Sequence, residues 1–338
     1  MPTLLFTKAC RLFALFCGPS PFVFNGLQPL LQNTRVGGMP ANSPVEIDGF
    51  QSLALAPRIA RVLCVKFLAL LSGGRTAMKY LVLILLPFTA QVASAQDWAK
   101  AKLDKSPRHR EWVTLKHDGR SVETFVVYPE SKAKAPVVLV IHEIFGMTDW
   151  VQDLADQVAE AGYIAVAPDL LSGMGPNGGR SSDFPQGKAT EAVSHLNPDQ
   201  VTADLNAAAD YGKKLPSSSG KLFVTGYCWG GGQSFRFATN RGDLAAAFVF
   251  YGPPPDKDAM ARIKPPVYGF YAGDDARIGA TLPETIQNMK AAGKTFEPVT
   301  YEGAGHGFMR AGEAPDASEA NRKARTEAWA RWKSLLAK

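Results

Sequence analysis

The spacing of apolar and polar residues changes several times along this chain, and each change marks an element. In "EWVTLKHDGRSVETFVVYP", residues 111–116 and 121–128 alternate apolar with polar. They flank His117-Asp118-Gly119-Arg120, and period-two patterning around an Asp-Gly turn predicts a β-hairpin. Residues 137–141 are apolar without interruption, which predicts a strand covered on both faces of a parallel sheet. "DWVQDLADQVAEAGY" then sets Val151, Leu154, Ala155 and Val158 at helical spacing and stops at Gly162.

"YIAVAP" predicts a strand, "DLNAAADYGKKL" a helix, and "LFVTGY" a strand that runs into a Gly-rich turn and the helix "GGQSFRFATN". "LAAAFVFYG" and "PPVYGFYAG" are further strands, 282–292 a helix, "FEPVTYEG" a strand and 318–336 a closing amphipathic helix. Strands alternating with helices predict an α/β domain: a mostly parallel central sheet flanked by helices, with the antiparallel hairpin at one edge. No internal repeat or linker divides residues 96–338, which read as one domain. The long aperiodic stretch "LLSGMGPNGGRSSDFPQGKA" follows a strand end, the sheet edge where such folds bind ligands, and predicts a lid or substrate-facing loop. Without a GK[ST] ending it is no phosphate loop.

Residues 1–95 follow none of these periods. "MKYLVLILLPFTAQVASA" (78–95) has a positive start, an apolar stretch and a small-x-small ending, the three parts of a cleavable secretory signal. Gln91 interrupts the stretch before the roughly 20 apolar residues of a membrane span, so no stable membrane anchor is expected. A signal belongs at an N-terminus, so residues 1–77 are expected to be a non-native or disordered extension ahead of a start at Met78. The mature chain then begins near Gln96, in the periplasm or outside the cell.

That division changes what composition means. The chain of 338 residues has 37 basic and 31 acidic side chains, a net +6. Eight of the basic and two of the acidic residues precede Gln96, leaving 29 of each, so the folded part is neutral and nucleic acid is not an expected partner. Cys10, Cys17 and Cys64 also fall in that segment, and Cys228 is the one cysteine after it. It can form no intramolecular disulfide there, and with no resolving cysteine a redox-sensing role is weak.

Cys228 lies in "GYCWGGG", where a strand gives way to a helix. The pattern G-x-nucleophile-x-G is that of a nucleophile elbow, whose glycines let strand and helix nearly touch while the side chain stands above the sheet. A helix N-terminus also lowers a thiol pKa, and the Trp229 N–H is free for a developing oxyanion. The competing reading is a buried structural thiol. A nucleophile needs a base. His109, His117 and His195 are expected to be solvated, which leaves His142 and His306, and His306 sits in the Gly-rich loop after the last strand. This elbow architecture orders its triad nucleophile, acid, histidine. Asp275, with Asp274 as fallback, follows a strand between the other two; the alternative for either aspartate is a helix cap. "HEIFG" lacks the second histidine of HExxH, so no metal is expected.

The motifs "HEIFG", "APDLL", "GYCWGGG", "YAGDDARIG" and "GHGFMR" together resemble those of dienelactone hydrolases (carboxymethylenebutenolidases), of the α/β-hydrolase fold, over nearly all of 110–338. The resemblance implies a Cys228–His306–Asp275 triad, with Glu143 near the thiol and gating its ionisation. It implies an oxyanion hole of the Ile144 and Trp229 N–H groups, and Arg310 as the arginine that holds a substrate carboxylate. Arg180, in the long loop, is the candidate for the family's second substrate arginine. The expected activity is cofactor-free opening of a small ester or lactone, carboxylated where Arg310 takes that role, through a thioester. A general carboxylesterase or thioesterase, or a silent binding protein on the same fold, are the alternatives. A secretory signal departs from the cytoplasmic members that define the dienelactone activity, so the substrate is left open, as is the oligomeric state.

Overall fold

The computed structural model describes residues 96–338; the expected extension at 1–77 and signal at 78–95 lie outside the described residues. Among the described residues eight strands are formed: β1 Arg110–His117, β2 Arg120–Val127, β3 Ala135–Ile141, β4 Ile164–Pro168, β5 Ser218–Tyr227, β6 Ala246–Phe250, β7 Val267–Ala272 and β8 Phe296–Tyr301. They make one sheet in the order β1-β2-β4-β3-β5-β6-β7-β8. β1, β2 and β4 pair antiparallel, and every pairing from β4 through β3 to β8 is parallel. Asp118 and Gly119 both take positive φ, 46° and 75°, the two-residue turn whose twist suits a hairpin.

The helices are α1 Asp97–Leu103, α2 Asp149–Glu160, α3 Lys188–Ser194, α4 Pro198–Lys214, α5 Trp229–Asn240, α6 Lys257–Met260, α7 Ala276–Gly279, α8 Leu282–Ala291, α9 Phe308–Ala311 and α10 Glu319–Leu336. Alternation along β3 feeds two cores. Val138 and Val140 pack with Trp150, Leu154 and Val158 of α2 and Trp332 of α10. Val137, Leu139 and Ile141 pack with Val201, Leu205 and Ala208 of α4 and Phe235 of α5. Each such side chain contributes about 1.5–3 kcal/mol by leaving water, which is why an unbroken apolar run specifies a central strand.

Helix α4 begins earlier than its apolar pattern suggests, because the Asn197 side chain accepts from the N–H groups of Asp199 and Gln200 at 2.8 and 3.2 Å, with Pro198 at the first turn. His117, expected to be solvated, is not. Its Nε2 lies 2.8 Å from Oδ1 of buried Asp204, which also accepts from Arg120 Nε and Gln200 Nε2. Asp204 sits among the buried residues of α4, so the hairpin end supplies the donors that its carboxylate requires. Among the described residues no helix is long and apolar enough to cross a membrane.

Candidate active site

The elbow forms where β5 meets α5. Cys228 bridges them at φ 56° and ψ −118°, a conformation that costs about 1–3 kcal/mol and persists only where the surroundings enforce it. The glycines supply that enforcement through close approach. A Cβ on Gly226 would overlap the Gly230 carbonyl, one on Gly230 the His142 carbonyl, and one on Gly231 the Phe250 carbonyl. The Cys228 N–H donates to Phe250 O at 3.0 Å, tying the elbow to β6.

His306 follows β8, in the loop 302–307. Its Nδ1 donates to Asp275 Oδ2 at 2.5 Å. The Cys228 side chain and then Asp275 raise the imidazole pKa above its ordinary value, against the effect of burial. The two readings of the Asp274-Asp275 pair merge in one residue. Asp275 Oδ1 caps α7 by accepting from the Ile278 N–H at 3.3 Å while Oδ2 holds His306; Asp274 is exposed. Tyr251, which sequence reasoning missed, has φ 42° and sets its ring edge-on to His306 and to Phe308, at 5.1 and 5.2 Å. A positive φ on a tyrosine has no signature in sequence.

Glu143, at the end of β3, is buried, and Arg310 Nε donates to its Oε2 at 2.7 Å. Burial raises the Glu143 carboxyl pKa even though Arg310 and His306 pull the other way. The Arg310 guanidinium lies over the ring of Phe145, which is itself exposed, and its Nη atoms make no hydrogen bond among the described residues. The Ile144 N–H likewise has no acceptor among them, and the Trp229 N–H, opening α5, has none within the helix.

Arg180 is placed elsewhere. Its guanidinium stacks on Trp112 of β1 at 3.8 Å, and none of its hydrogen bonds or ring contacts reaches Cys228, His306 or Arg310. The long loop that carries it is anchored through buried Asp169, which accepts from the Ser181 N–H and Oγ at 3.0 and 2.6 Å. A cleft of about 750 Å³ also opens among Lys102, Arg108, Asp153, Glu313 and Arg325, and no member of the Cys228 group lines it. Among the described residues no group of three or more His, Cys, Asp or Glu is placed to hold a metal ion.

A mainly parallel sheet between two helical layers, with an elbow after its central strand, defines an α/β-hydrolase. The model of the "Dienelactone hydrolase family" matches residues 122–338. The chain belongs to that family, whose members hydrolyse ester or lactone bonds. A Yersinia pestis protein named "Putative carboxymethylenebutenolidase" is 32% identical over 212 residues, 58% of this chain and 77% of its own. A Pseudomonas putida carboxymethylenebutenolidase is 30% identical over 200 residues, 57% of this chain and 83% of its own. The crystal structure of a "Putative Dienelactone Hydrolase" from Klebsiella pneumoniae superposes with a TM-score of 0.61 at 26% identity, covering 68% of this chain and 99% of its own.

Proposed function

We propose that the protein opens a small ester or lactone by nucleophilic catalysis at Cys228, outside the cytoplasm. The observation that carries this reading is the strained elbow cysteine beside His306, itself held by Asp275 at 2.5 Å. The Cys228 thiolate attacks the carbonyl carbon, and the carbonyl π pair moves onto oxygen between the Ile144 and Trp229 N–H groups. As the intermediate collapses, the C–O bond to the leaving alkoxide breaks and the His306 imidazolium protonates it, leaving a thioester. His306 then takes a proton from water, hydroxide adds to the thioester, and the thiolate departs.

Arg310 supports a carboxylated substrate, because its Nη atoms have no partner among the described residues while Nε is held by Glu143. A substrate carboxylate that draws the guanidinium away leaves Glu143 as a buried carboxylate without its cation. That favours uptake of the thiol proton and couples binding to activation. The aromatic ring of Phe145 beside Arg310 suits an apolar acyl group.

The test compares wild type, Cys228→Ala and Arg310→Ala on a dienelactone, a simple aryl ester and an acyl thioester. Cys228→Ala is expected to abolish turnover, and unchanged turnover would reject the mechanism. Arg310→Ala is expected to raise KM for the dienelactone acid by about 10- to 100-fold, as for loss of a charged hydrogen bond. An equal loss on the neutral ester would favour a general esterase. N-terminal sequencing of the native protein tests the location: Gln96 at or near the N-terminus fits export, and a peptide from residues 1–77 would overturn it.

A further inference from the structure

His142 plays no part in the chemistry above, yet it is buried at the junction of β3 and the elbow. Its Nδ1 lies 2.7 Å from the carbonyl oxygen of Glu143, and its Nε2 has no hydrogen-bond partner among the described residues. A carbonyl oxygen can only accept, so Nδ1 carries the proton. The opposite tautomer would set two lone pairs against each other and bury an N–H without an acceptor. Burial lowers the ring's pKa, against the field of Asp169, and so favours the neutral ring.

Two consequences meet at one point. The Glu143 carbonyl and the Ile144 N–H belong to the same peptide plane and point in opposite directions. The imidazole that holds the oxygen therefore sets the direction of the N–H. The other face of the arrangement is Trp229, whose indole stacks on the same imidazole at 5.5 Å with 15° between the planes. The His142 carbonyl also packs where a Cβ on Gly230 would lie, so the backbone of β3 and the first turn of α5 are in direct contact. The Gly146 N–H gives the Glu143 carbonyl a second, longer bond of 3.2 Å that closes the turn.

We propose that His142 is a positioning residue for both oxyanion donors, aiming the Ile144 N–H through the Glu143 peptide and fixing Trp229 by stacking. The inference rests on the assignment of Ile144 and Trp229 as the oxyanion hole in the proposed function. Orientation matters because such donors act only when aimed at the place where charge develops, and losing one typically lowers kcat by about 10²–10³-fold. A donor that is loosened rather than deleted is expected to lose less, about 10- to 100-fold.

His142→Phe keeps a flat ring against Trp229 and removes the Nδ1–H donor, whereas His142→Asn keeps an N–H near the Nδ1 position. On an aryl acetate, His142→Phe is expected to lower kcat about 10- to 100-fold at nearly unchanged KM, and His142→Asn to recover most of the loss. A trifluoromethyl ketone, which adds the thiolate to give an oxyanion, should bind His142→Phe more weakly by the same factor. Alkylation of Cys228 by iodoacetamide develops no oxyanion and should proceed at the wild-type rate. Wild-type kcat in a folded His142→Phe would overturn the inference, and so would an equal loss in alkylation, which marks general damage at the elbow. Should His142→Phe not fold, the ¹⁵N spectrum of the wild-type imidazole decides: a protonated Nδ1 across pH 6–9 supports the inference, and a protonated Nε2 overturns it. Retained turnover in Cys228→Ala would sink the nucleophile reading itself, an outcome distinct from each of these.

Discussion

Asp275 offers the sharpest test of the site because its two oxygens do different work. Oδ2 holds the His306 imidazole, and Oδ1 caps α7. Asp275→Asn removes the charge and leaves one oxygen for both tasks. With that oxygen on the Ile278 N–H, the amide NH₂ faces His306 Nδ1 and favours the wrong ring tautomer. A charge-assisted hydrogen bond is worth about 1.5–3 kcal/mol net. The His306 side chain is 32% exposed, which argues for the lower half of that range. At about 1.4 kcal/mol per decade, 1.5–2 kcal/mol is about a 10- to 30-fold loss of the imidazolium–thiolate pair, and the tautomer error adds to it.

The assay is the pH dependence of two rates: turnover of an aryl ester and alkylation of Cys228 by iodoacetamide. Asp275 raises the His306 pKa, so its removal lowers that pKa and narrows the window in which imidazolium and thiolate coexist. Alkylation at pH 6.5 should fall about 10- to 30-fold. At pH 10 hydroxide in solution replaces the imidazole as proton acceptor, and the rate should return to wild type. Rates equal to wild type at pH 6.5 would refute the orienting role and leave Asp275 a helix cap. A loss that persists at pH 10 would point to a disordered elbow instead. Asp275→Ala, which also loses the cap, should add about 1 kcal/mol of destabilisation.

Two further expectations concern stability away from the thiol. Asp153 is buried beside Glu313, and burial followed by the Glu313 charge pushes its pKa up to about 7. Glu313 is held ionised, against burial, by Arg325 and Lys102. A carboxyl with a raised folded-state pKa contributes stability below its ordinary value near 4, and loses it as pH rises through about 7. Asp153→Asn should therefore gain on the order of 3 kcal/mol over wild type at pH 8 and little at pH 4, read as Tm against pH; identical pH profiles for the two proteins would count against a buried proton there. Asp204→Ala should cost about 3–5 kcal/mol in urea unfolding, since Arg120 and His117 lose their shared carboxylate at the hairpin end; a loss under 1 kcal/mol would mean that water serves those groups equally well.

The strands, the main helices and the order of the Cys228 group are legible because each is written locally. β3 declares itself by five consecutive apolar residues, the elbow by glycines that only a close strand-to-helix turn requires, and His306 by a Gly-rich loop after a strand. Short helices escape for the matching reason: α1 and α3 have seven residues each, two turns or less in which to show a period. What a local pattern cannot carry is the partner of a polar group. His117 reads as a solvated turn residue because Asp204 stands 87 positions later, and Arg180 reads as a substrate arginine until its guanidinium is seen on Trp112. Nor does any pattern report which nitrogen of His142 holds a proton, since that follows from a carbonyl one residue away in the sequence and an indole 87 residues away meeting the same ring. The divide has a physical basis. Backbone conformation is set by the nearest few side chains, whereas the desolvation of a buried donor or acceptor must be offset by whichever group the completed fold brings within 3 Å. The proposed chemistry at the Cys228 site depends on both, so the proposed nucleophile is readable from its turn while the geometry that orients the proposed oxyanion donors emerges only when β3 and α5 are packed together.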